Sequence, residues 1–517
     1  MRLAALAFVF LVLALSYTYP LVLDPSRANR FDSPDALLCA WTLSWDLRQL
    51  ARAPWDLFDA NIFHPDRGAL AYSENLVAAA LLVAPLRLVT SNPVLLLNAA
   101  LVAALVASGL ATYLLARELD VPPLGGLLAG ILFAFGPFRW AHVPHLQLQL
   151  AFPIPLALYF VSRCCRTPNL RAALGLGASV ALAFASSGYY AVYLLTVLPI
   201  FAVSGLVTLS PELRRPAVLT LLAAAAVGVA LSLPLVLPYV EKLNEGSRRT
   251  LAEAAEFSAG PLDYLSSFSR LHFFLPKNPE PLFPGFVALG LTVAAFVRDR
   301  KREVWLLAAV GALGATLSFG PSAGLFSLLY RFVPAYQGLR VPSRAGILVL
   351  LAVSLLAARG VTRLSSRRLR AGLTILVAAE CYAGPLPWSF DSARVPAIYA
   401  SVAERKEPGA LMELPLPPPD QFQLNAIYVY RSLAHFRPLV NGYSGFVPES
   451  YRDVHRRLST DFEGALTHLE RIGVGLVLVH EGRLGPRLKR EVEEAHALGR
   501  LRLVRKVDSD RLYVLGN

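Results

Sequence analysis

Two carboxylates three residues apart, Asp32 and Asp35, stand just beyond the first apolar run, in Phe31-Asp32-Ser33-Pro34-Asp35. A carboxylate so placed can take a proton from an acceptor hydroxyl. A D-x-x-D pair can instead hold a divalent cation against a phosphate or pyrophosphate leaving group. Either aspartate fits, and the spacing does not choose between them. The same residues also read as a helix start, with Ser33 as N-cap, Pro34 at the first helical position and Asp35 in the first turn.

Arginines supply the opposite charge. Arg340 and Arg344, in Leu339-Arg340-Val341-Pro342-Ser343-Arg344, open a later apolar run. A phosphate fits a pair of guanidinium groups, with backbone N–H groups of the helix start as further donors. Arg139, His142 and His145 cluster in Phe138-Arg139-Trp140-Ala141-His142-Val143-Pro144-His145. Pro144 spoils a helical i,i+3 metal pair, so Arg139 is read as a phosphate contact and the histidines as hydrogen-bonding groups for a sugar. The alternative places Trp140 in an aromatic belt with Arg139 snorkelling. Tyr443, in the Gly-punctuated turn Asn441-Gly442-Tyr443-Ser444-Gly445, offers an aromatic face and a hydroxyl. No spacing calls for a metal, and a divalent cation remains optional.

The composition says what must carry these groups. Of 517 residues 55% are hydrophobic and 16% charged, with mean hydropathy +0.50, against roughly 25% charged in soluble proteins. The net charge of +13 sits in short clusters between apolar runs, as the positive-inside rule predicts, so nucleic acid is not the expected partner. Four cysteines without C-x-x-C spacing exclude a disulfide framework. The first run, Met1 to Pro20, ends without a small-residue cleavage site and reads as an uncleaved span.

Further spans are expected near 94–116, 122–137, 147–163, 170–187, 189–209, 216–238, 282–298, 303–320, 345–360 and 371–388. Arg163/Arg166/Arg171, Arg214/Arg215, Arg298/Arg300/Lys301/Arg302 and Arg363/Arg367/Arg368/Arg370 fall at alternate junctions. All can therefore be cytoplasmic together, with the N-terminus inside and the loop 23–74 outside. Residues 75–89, short and holding Pro85 and Arg87, are then re-entrant or interfacial, which leaves about 11 transmembrane helices. Arg139, His142, His145, Arg340 and Arg344 fall on the outer side with the aspartates. Trp41 and Trp45 place the helix after Asp35 at the headgroup level. The transmembrane domain, 1–388, includes outer loops 23–74 and 239–281. Residues 389–517 form a small extracytoplasmic α/β domain, with strand candidates at 411–414, 474–479, 501–504 and 512–515 and helical stretches at 448–458, 461–471 and 485–497.

This arrangement resembles the GT-C superfamily of membrane glycosyltransferases, which includes protein mannosyltransferases and aminoarabinose transferases. More narrowly, it looks like uncharacterised bacterial polytopic members of that superfamily. The resemblance rests on Asp35 with Trp41 and Trp45, Ala60-Asn61-Ile62-Phe63-His64-Pro65, Ala71-Tyr72-Ser73-Glu74, Pro137-Phe138-Arg139 and Asn441-Gly442-Tyr443-Ser444-Gly445. It implies an enzyme of a bacterial inner membrane that moves a sugar from a polyprenyl-phosphate donor to a glycan, lipid or protein acceptor on the outer face. The first-loop acid maps to Asp32 or Asp35. Arg340, Arg344 and Arg139 would face the departing phosphate. The chain departs from the family in lacking an Asp-Glu dyad and a second carboxylate in loop 138–146. Two other classes fit the composition: a lipid-linked glycan or small-molecule transporter or flippase, and a non-catalytic membrane scaffold with an outer binding domain. Transporters favour intramembrane charges and internal repeats; the spans here are almost free of charge, apart from Glu380.

Overall fold

Runs of Leu, Ala and Val satisfy every backbone group within a helix and offer lipid or neighbouring helices an apolar surface. In the computed structural model, which describes residues 3–390 and 395–516, each expected span coincides with a helix. These are Leu3–Tyr17, Pro93–Glu118, Pro123–Phe135, Pro153–Arg166, Leu170–Phe184, Gly188–Val207, Pro211–Asn244, Phe286–Arg298, Arg302–Ser318, Gly346–Thr362 and Arg367–Cys381. Arg2, the basic residue expected before the first span, lies outside the described residues. Prolines account for the shifted boundaries. Pro153 and Pro155 restart the helix expected from 147 after a break at 150–152, and Pro385 and Pro387 follow the last helix, which stops at Cys381. Among the described residues six helical segments are long and apolar enough to cross a membrane. Helix Pro211–Asn244 leaves Leu219, Leu222, Val229, Leu231, Leu233 and Leu237 exposed, a surface that suits hydrocarbon. The chain is an integral membrane protein.

Two units divide it. The first comprises Met1–Ser26, Leu76–Pro85 and Asn98–Trp388, and the second comprises Arg27–Asn75, Leu86–Leu97 and Ser389–Asn517. At the centre of the first unit runs Gly346–Thr362, buried from Ile347 to Val361 except at Val349. It packs against Phe286–Arg298, Arg302–Ser318 and Pro123–Phe135. Gly360 allows the closest approach, since a Cβ there would lie 1.8 Å from the Leu291 carbonyl oxygen.

The helix ends of this unit sort into two poles. At one, Arg359 reaches Asp299 at 3.0 Å and the Leu119 carbonyl at 2.8 Å, Arg363 reaches Asp299 at 3.0 Å, and Arg166 reaches Asp120 at 3.1 Å. At the other, Tyr189 Oη accepts the Arg340 and Val341 N–H groups at 3.0 and 3.2 Å, and Gln337 O accepts the Arg249 N–H at 2.8 Å. Glu380 is a structural anchor at this second pole. Its carboxylate accepts the Phe286 and Val287 N–H groups at the start of a helix and lies 3.2 Å from His272 Nε2.

The second unit has a four-stranded sheet in order β1-β2-β4-β3: β1 Ala410–Leu414, β2 Val474–His480, β3 Leu501–Val507 and β4 Asp510–Leu515. β1 and β2 are parallel and the other pairs antiparallel. Helices Glu449–Thr460, Phe462–Arg471 and Pro486–Ala497 fall where their periodicity places them, and the Asp461 side chain accepts the Gly464 N–H at 2.9 Å. Ile398, Tyr399, Val402, Leu411, Leu476 and Leu478 lie in its core. Helix Pro34–Arg52 belongs to this unit and packs Leu37 and Ala40 against Ala426 and Tyr430. Trp41 and Trp45 are therefore core residues, not the headgroup-level aromatics the sequence leads one to expect. Their indole N–H groups bond Asn61 Oδ1 at 3.2 Å and the Leu57 carbonyl at 2.8 Å, so both polar handles are satisfied inside the protein.

Candidate functional site

In the second unit the two aspartates take different partners. Asp32 is exposed, with Oδ1 and Oδ2 3.2 and 3.3 Å from the Arg30 guanidinium. Asp35 sits in the first turn of helix Pro34–Arg52, where Pro34 occupies the first position and Ser33 makes no side-chain cap bond. Its Oδ1 accepts a hydrogen bond from Tyr443 Oη at 2.8 Å. The D-x-x-D spacing thus resolves into one surface ion pair and one carboxylate–phenol pair.

The turn bearing Tyr443 is fixed from both sides. Asn441, fully buried, bonds β1 through its amide: Oδ1 accepts the Glu413 N–H at 2.8 Å and Nδ2 donates to the Glu413 carbonyl at 2.9 Å. Gly442 lies on the Phe63 ring, so close that a Cβ would stand 2.4 Å from it. Phe63 is held in turn, because its N–H and that of His64 donate to the carbonyls of Asn441 and Leu439 at 3.3 and 2.9 Å. Asn61 accepts the Trp41 indole N–H and donates to Ser432 Oγ and the Arg437 carbonyl. The Asn61–Pro65 stretch is thus a brace between helix Pro34–Arg52 and the Tyr443 turn. Phe422 lies 5.4 Å from the Tyr443 ring and widens the aromatic surface.

In the first unit the pole bearing Tyr189 gathers a second set. Arg344 lies over the Tyr189 ring at 4.4 Å and Arg340 over Phe257 at 4.3 Å, cation–π contacts that hold both guanidinium planes. Arg249 joins them, since Tyr189 and Arg340 both act on its charge, and it lies 3.3 Å from Glu253. His142 is buried and its ring stands 5.7 Å from that of His145. Its Nε2 is 3.4 Å from Glu280 Oε2. Burial pushes the His142 pKa below the usual imidazole range, against the pull of Glu280. Burial would raise Glu280, but His142, Arg344 and Ser343 together hold it below the usual carboxylate range. The resting pair is a neutral imidazole beside a carboxylate.

Arg139 is turned inward. Its side chain is wholly buried and donates to the Leu148 and Gln149 carbonyls at 3.2 and 2.6 Å. Gln149 returns two bonds to the Arg139 and His142 carbonyls at 2.8 Å each. In this structure Arg139 neither snorkels nor presents those donors to a phosphate; it shapes the loop that carries His142. Sequence reading missed Tyr189, Arg249 and Glu280. Arg249 could have been found by the logic that picked Arg340, as an arginine in a loop that the sequence reading places opposite the basic clusters. Among the described residues no group of three or more His, Cys, Asp or Glu side chains is placed to hold a metal.

No protein-family model and no curated protein sequence matches the chain. Solved structures do. The cryo-EM structure of the arabinofuranosyltransferase AftD from Mycobacteria superposes with TM-score 0.60 at 17% identity, covering 100% of this chain and 41% of that one. The Archaeoglobus fulgidus oligosaccharyltransferase gives TM-score 0.43 at 13% identity over 92% of this chain and 67% of that one. ArnT from Cupriavidus metallidurans gives 0.39 at 13% identity over 99% and 97%. The chain has a GT-C-like fold. It spans about two-fifths of the length of the AftD chain.

Proposed function

We propose that the protein is a membrane glycosyltransferase that moves a sugar from a polyprenyl-phosphate donor to an acceptor hydroxyl on the extracytoplasmic face. The observation that carries this reading is the Asp35–Tyr443 pair, a carboxylate at a helix start held by a phenol on a braced turn. Asp35 acts as the base: it takes the acceptor O–H proton as the acceptor oxygen bonds C1 of the sugar. The C1–O bond to phosphate breaks on the opposite face and the anomeric configuration inverts. The polyprenyl phosphate leaves with the bonding pair. The guanidinium groups of Arg340 and Arg344, with Arg249, suit a donor phosphate by charge and geometry. The aromatic face of Tyr443 and Phe422 suits a sugar ring. His142 and His145 supply polar contacts, and Arg139 acts as a positioning residue behind them. Asp32, paired with Arg30, is assigned no role in the transfer step.

In this reading the basic pole of the first unit is cytoplasmic and the pole bearing Tyr189 and Arg344 faces outward, in a bacterial inner membrane with the N-terminus inside and 389–517 outside. Eleven helices span. Helix Val77–Arg87, with 11 residues, is about 16 Å long against a core of about 30 Å and stays interfacial or re-entrant. The test is product formation. The purified protein in lipid nanodiscs is given short-chain polyprenyl phosphates bearing arabinofuranose, mannose or glucose with glycan and lipid acceptors. Acceptor-dependent release of polyprenyl phosphate is expected for one sugar; release from none overturns the assignment.

A further inference from the structure

A groove of about 530 Å³ opens on the first unit, between the second half of helix Gly188–Val207 and the first turns of helix Arg302–Ser318. Residue spacing accounts for its walls. Pro199 with Val203, and Ile200 with Ser204, are i,i+4 pairs on one helix, and Arg302, Trp305 and Leu306 stand at i, i+3 and i+4 on the other. Each helix therefore turns a single face to the space. The Trp305 ring meets Phe296 edge-on at 5.7 Å, which fixes that wall. Val203 is 58% and Trp305 62% exposed, so both are left open to the surroundings of an integral membrane protein instead of packing inside it.

The groove lies at the pole of Arg359 and Asp299, away from Arg340 and Arg344. Helix Gly188–Val207 begins at the opposite pole, where Tyr189 accepts the Arg340 and Val341 N–H groups, and so ends at this one. Helix Arg302–Ser318 begins here, with Glu303 3.6 Å from Arg359. From Val207 back to Pro199 a helix covers about 12 Å. The hydrocarbon of one leaflet is about 15 Å deep, so the groove runs from the membrane surface through much of that leaflet.

Charge selects what can fill it. Arg302 ends a run of basic residues, Arg298, Arg300, Lys301 and Arg302, in the turn between two helices. The acids beside them are engaged by the central helix: Asp299 lies 3.0 Å from both Arg359 and Arg363, and Glu303 also faces Arg359. Among the described residues no carboxylate pairs with the side chains of the four basic residues. A soluble anion would leave the apolar walls uncovered, and a zwitterionic lipid would bring a second cation to the turn. A molecule with hydrocarbon at one end and net negative charge at the other matches both features. We propose that the groove binds an anionic phospholipid of the phosphatidylglycerol type, from the leaflet on this side. Arg302 meets the phosphodiester, and an acyl chain lies between Val203 and Trp305. The site needs only the membrane fold and does not depend on which group the protein transfers.

Trp305 is the reporter. Full-length protein is placed in phosphatidylcholine nanodiscs doped with acyl-brominated phosphatidylglycerol or, in parallel, acyl-brominated phosphatidylcholine. Bromine quenches an indole it touches, and subtracting Trp305→Phe isolates this one. Brominated phosphatidylglycerol should quench Trp305 at a mole fraction at least about 5-fold lower than brominated phosphatidylcholine, and Arg302→Gln should reduce that preference about 5-fold. Arg302→Lys keeps the charge and should keep the preference, while added salt should weaken it in wild type. Val203→Phe fills the groove, leaves the basic turn intact and should abolish the preference. Equal quenching by the two lipids in wild type overturns the site. A preference that survives Val203→Phe overturns it too, because the lipid is then drawn to the basic turn without entering the groove. The lipid and salt comparisons use wild type and Trp305→Phe alone, so they decide the question even where another variant folds poorly.

Discussion

Tyr443 Oη donates to Asp35 Oδ1 at 2.8 Å across 408 positions of sequence. The bond aims the carboxylate from a residue on a different element, so Asp35 is not merely a first-turn charge at a helix start. Tyr443→Phe keeps the ring and its packing on Phe422 and removes only the donor. A hydrogen bond to a charged group contributes about 1.5–3 kcal/mol, so transfer should slow roughly 10- to 100-fold with little change in stability. Initial rates of polyprenyl phosphate release, beside a melting curve, check this.

Gly442 tests the brace behind that pair. A Cβ at this position would stand 2.4 Å from the Phe63 ring, and Phe63 is buried at 1% exposure. Gly442→Ala should destabilise the second unit by about 1–3 kcal/mol through overpacking. Thermal unfolding read at tryptophan emission is informative, because Trp41 and Trp45 lie in the same unit.

His480 gives a pH signature. It lies between two carboxylates, with Nδ1 2.9 Å from Asp510 and Nε2 2.9 Å from Glu413, while Tyr399 donates to Glu413 at 2.5 Å. Burial works against the imidazolium, but Glu413 and Asp510 outweigh it and the pKa is raised. A group whose folded pKa exceeds its unfolded value contributes stability that is full below the unfolded pKa and fades as pH rises through the folded one. The melting temperature should therefore fall as pH is raised from about 6 to 9, and His480→Gln should flatten the slope. His480→Ala leaves Glu413 buried without its partner and should cost about 3–5 kcal/mol. A pH profile identical in wild type and His480→Gln would contradict this.

Arg344 and Arg340 stack on aromatic rings, over Tyr189 and Phe257. Lysine reproduces the charge but not the planar fork or the stacking. Arg344→Lys should raise the donor KM about 10-fold and Arg344→Ala more, with acceptor KM nearly unchanged. Steady-state kinetics varying donor and acceptor separately would show the split.

Much of the fold was legible in the sequence because its signals are local. Apolar runs gave the helices, and prolines at 153, 155, 385 and 387 moved the boundaries by a few residues. The four strands fell at Leu411, Val474, Leu501 and Leu512 because short apolar runs sit between helical stretches. The site was legible only in parts. Asp35, Tyr443, Arg340 and Arg344 stood out by type, but nothing local told Asp35 from Asp32. That distinction comes from long-range pairing of Phe63 and His64 with Leu439 and Asn441, which sets the Tyr443 turn. Trp41 and Trp45 look like interfacial aromatics until Asn61 and the Leu57 carbonyl are seen to take their N–H groups. Glu280 was invisible as one carboxylate in a proline-flanked loop, since its partners His142 and Ser343 come from distant segments.

The central claim is that Asp35 is the base. Release of polyprenyl phosphate should be followed with the donor sugar that wild type uses, comparing Asp35→Asn with Asp32→Asn in the same nanodiscs. The account predicts a loss of at least about 100-fold for Asp35→Asn and a rate within about 2-fold of wild type for Asp32→Asn, whose carboxylate is occupied at the surface by Arg30. Full turnover by Asp35→Asn, or collapse of activity in Asp32→Asn alone, would contradict it.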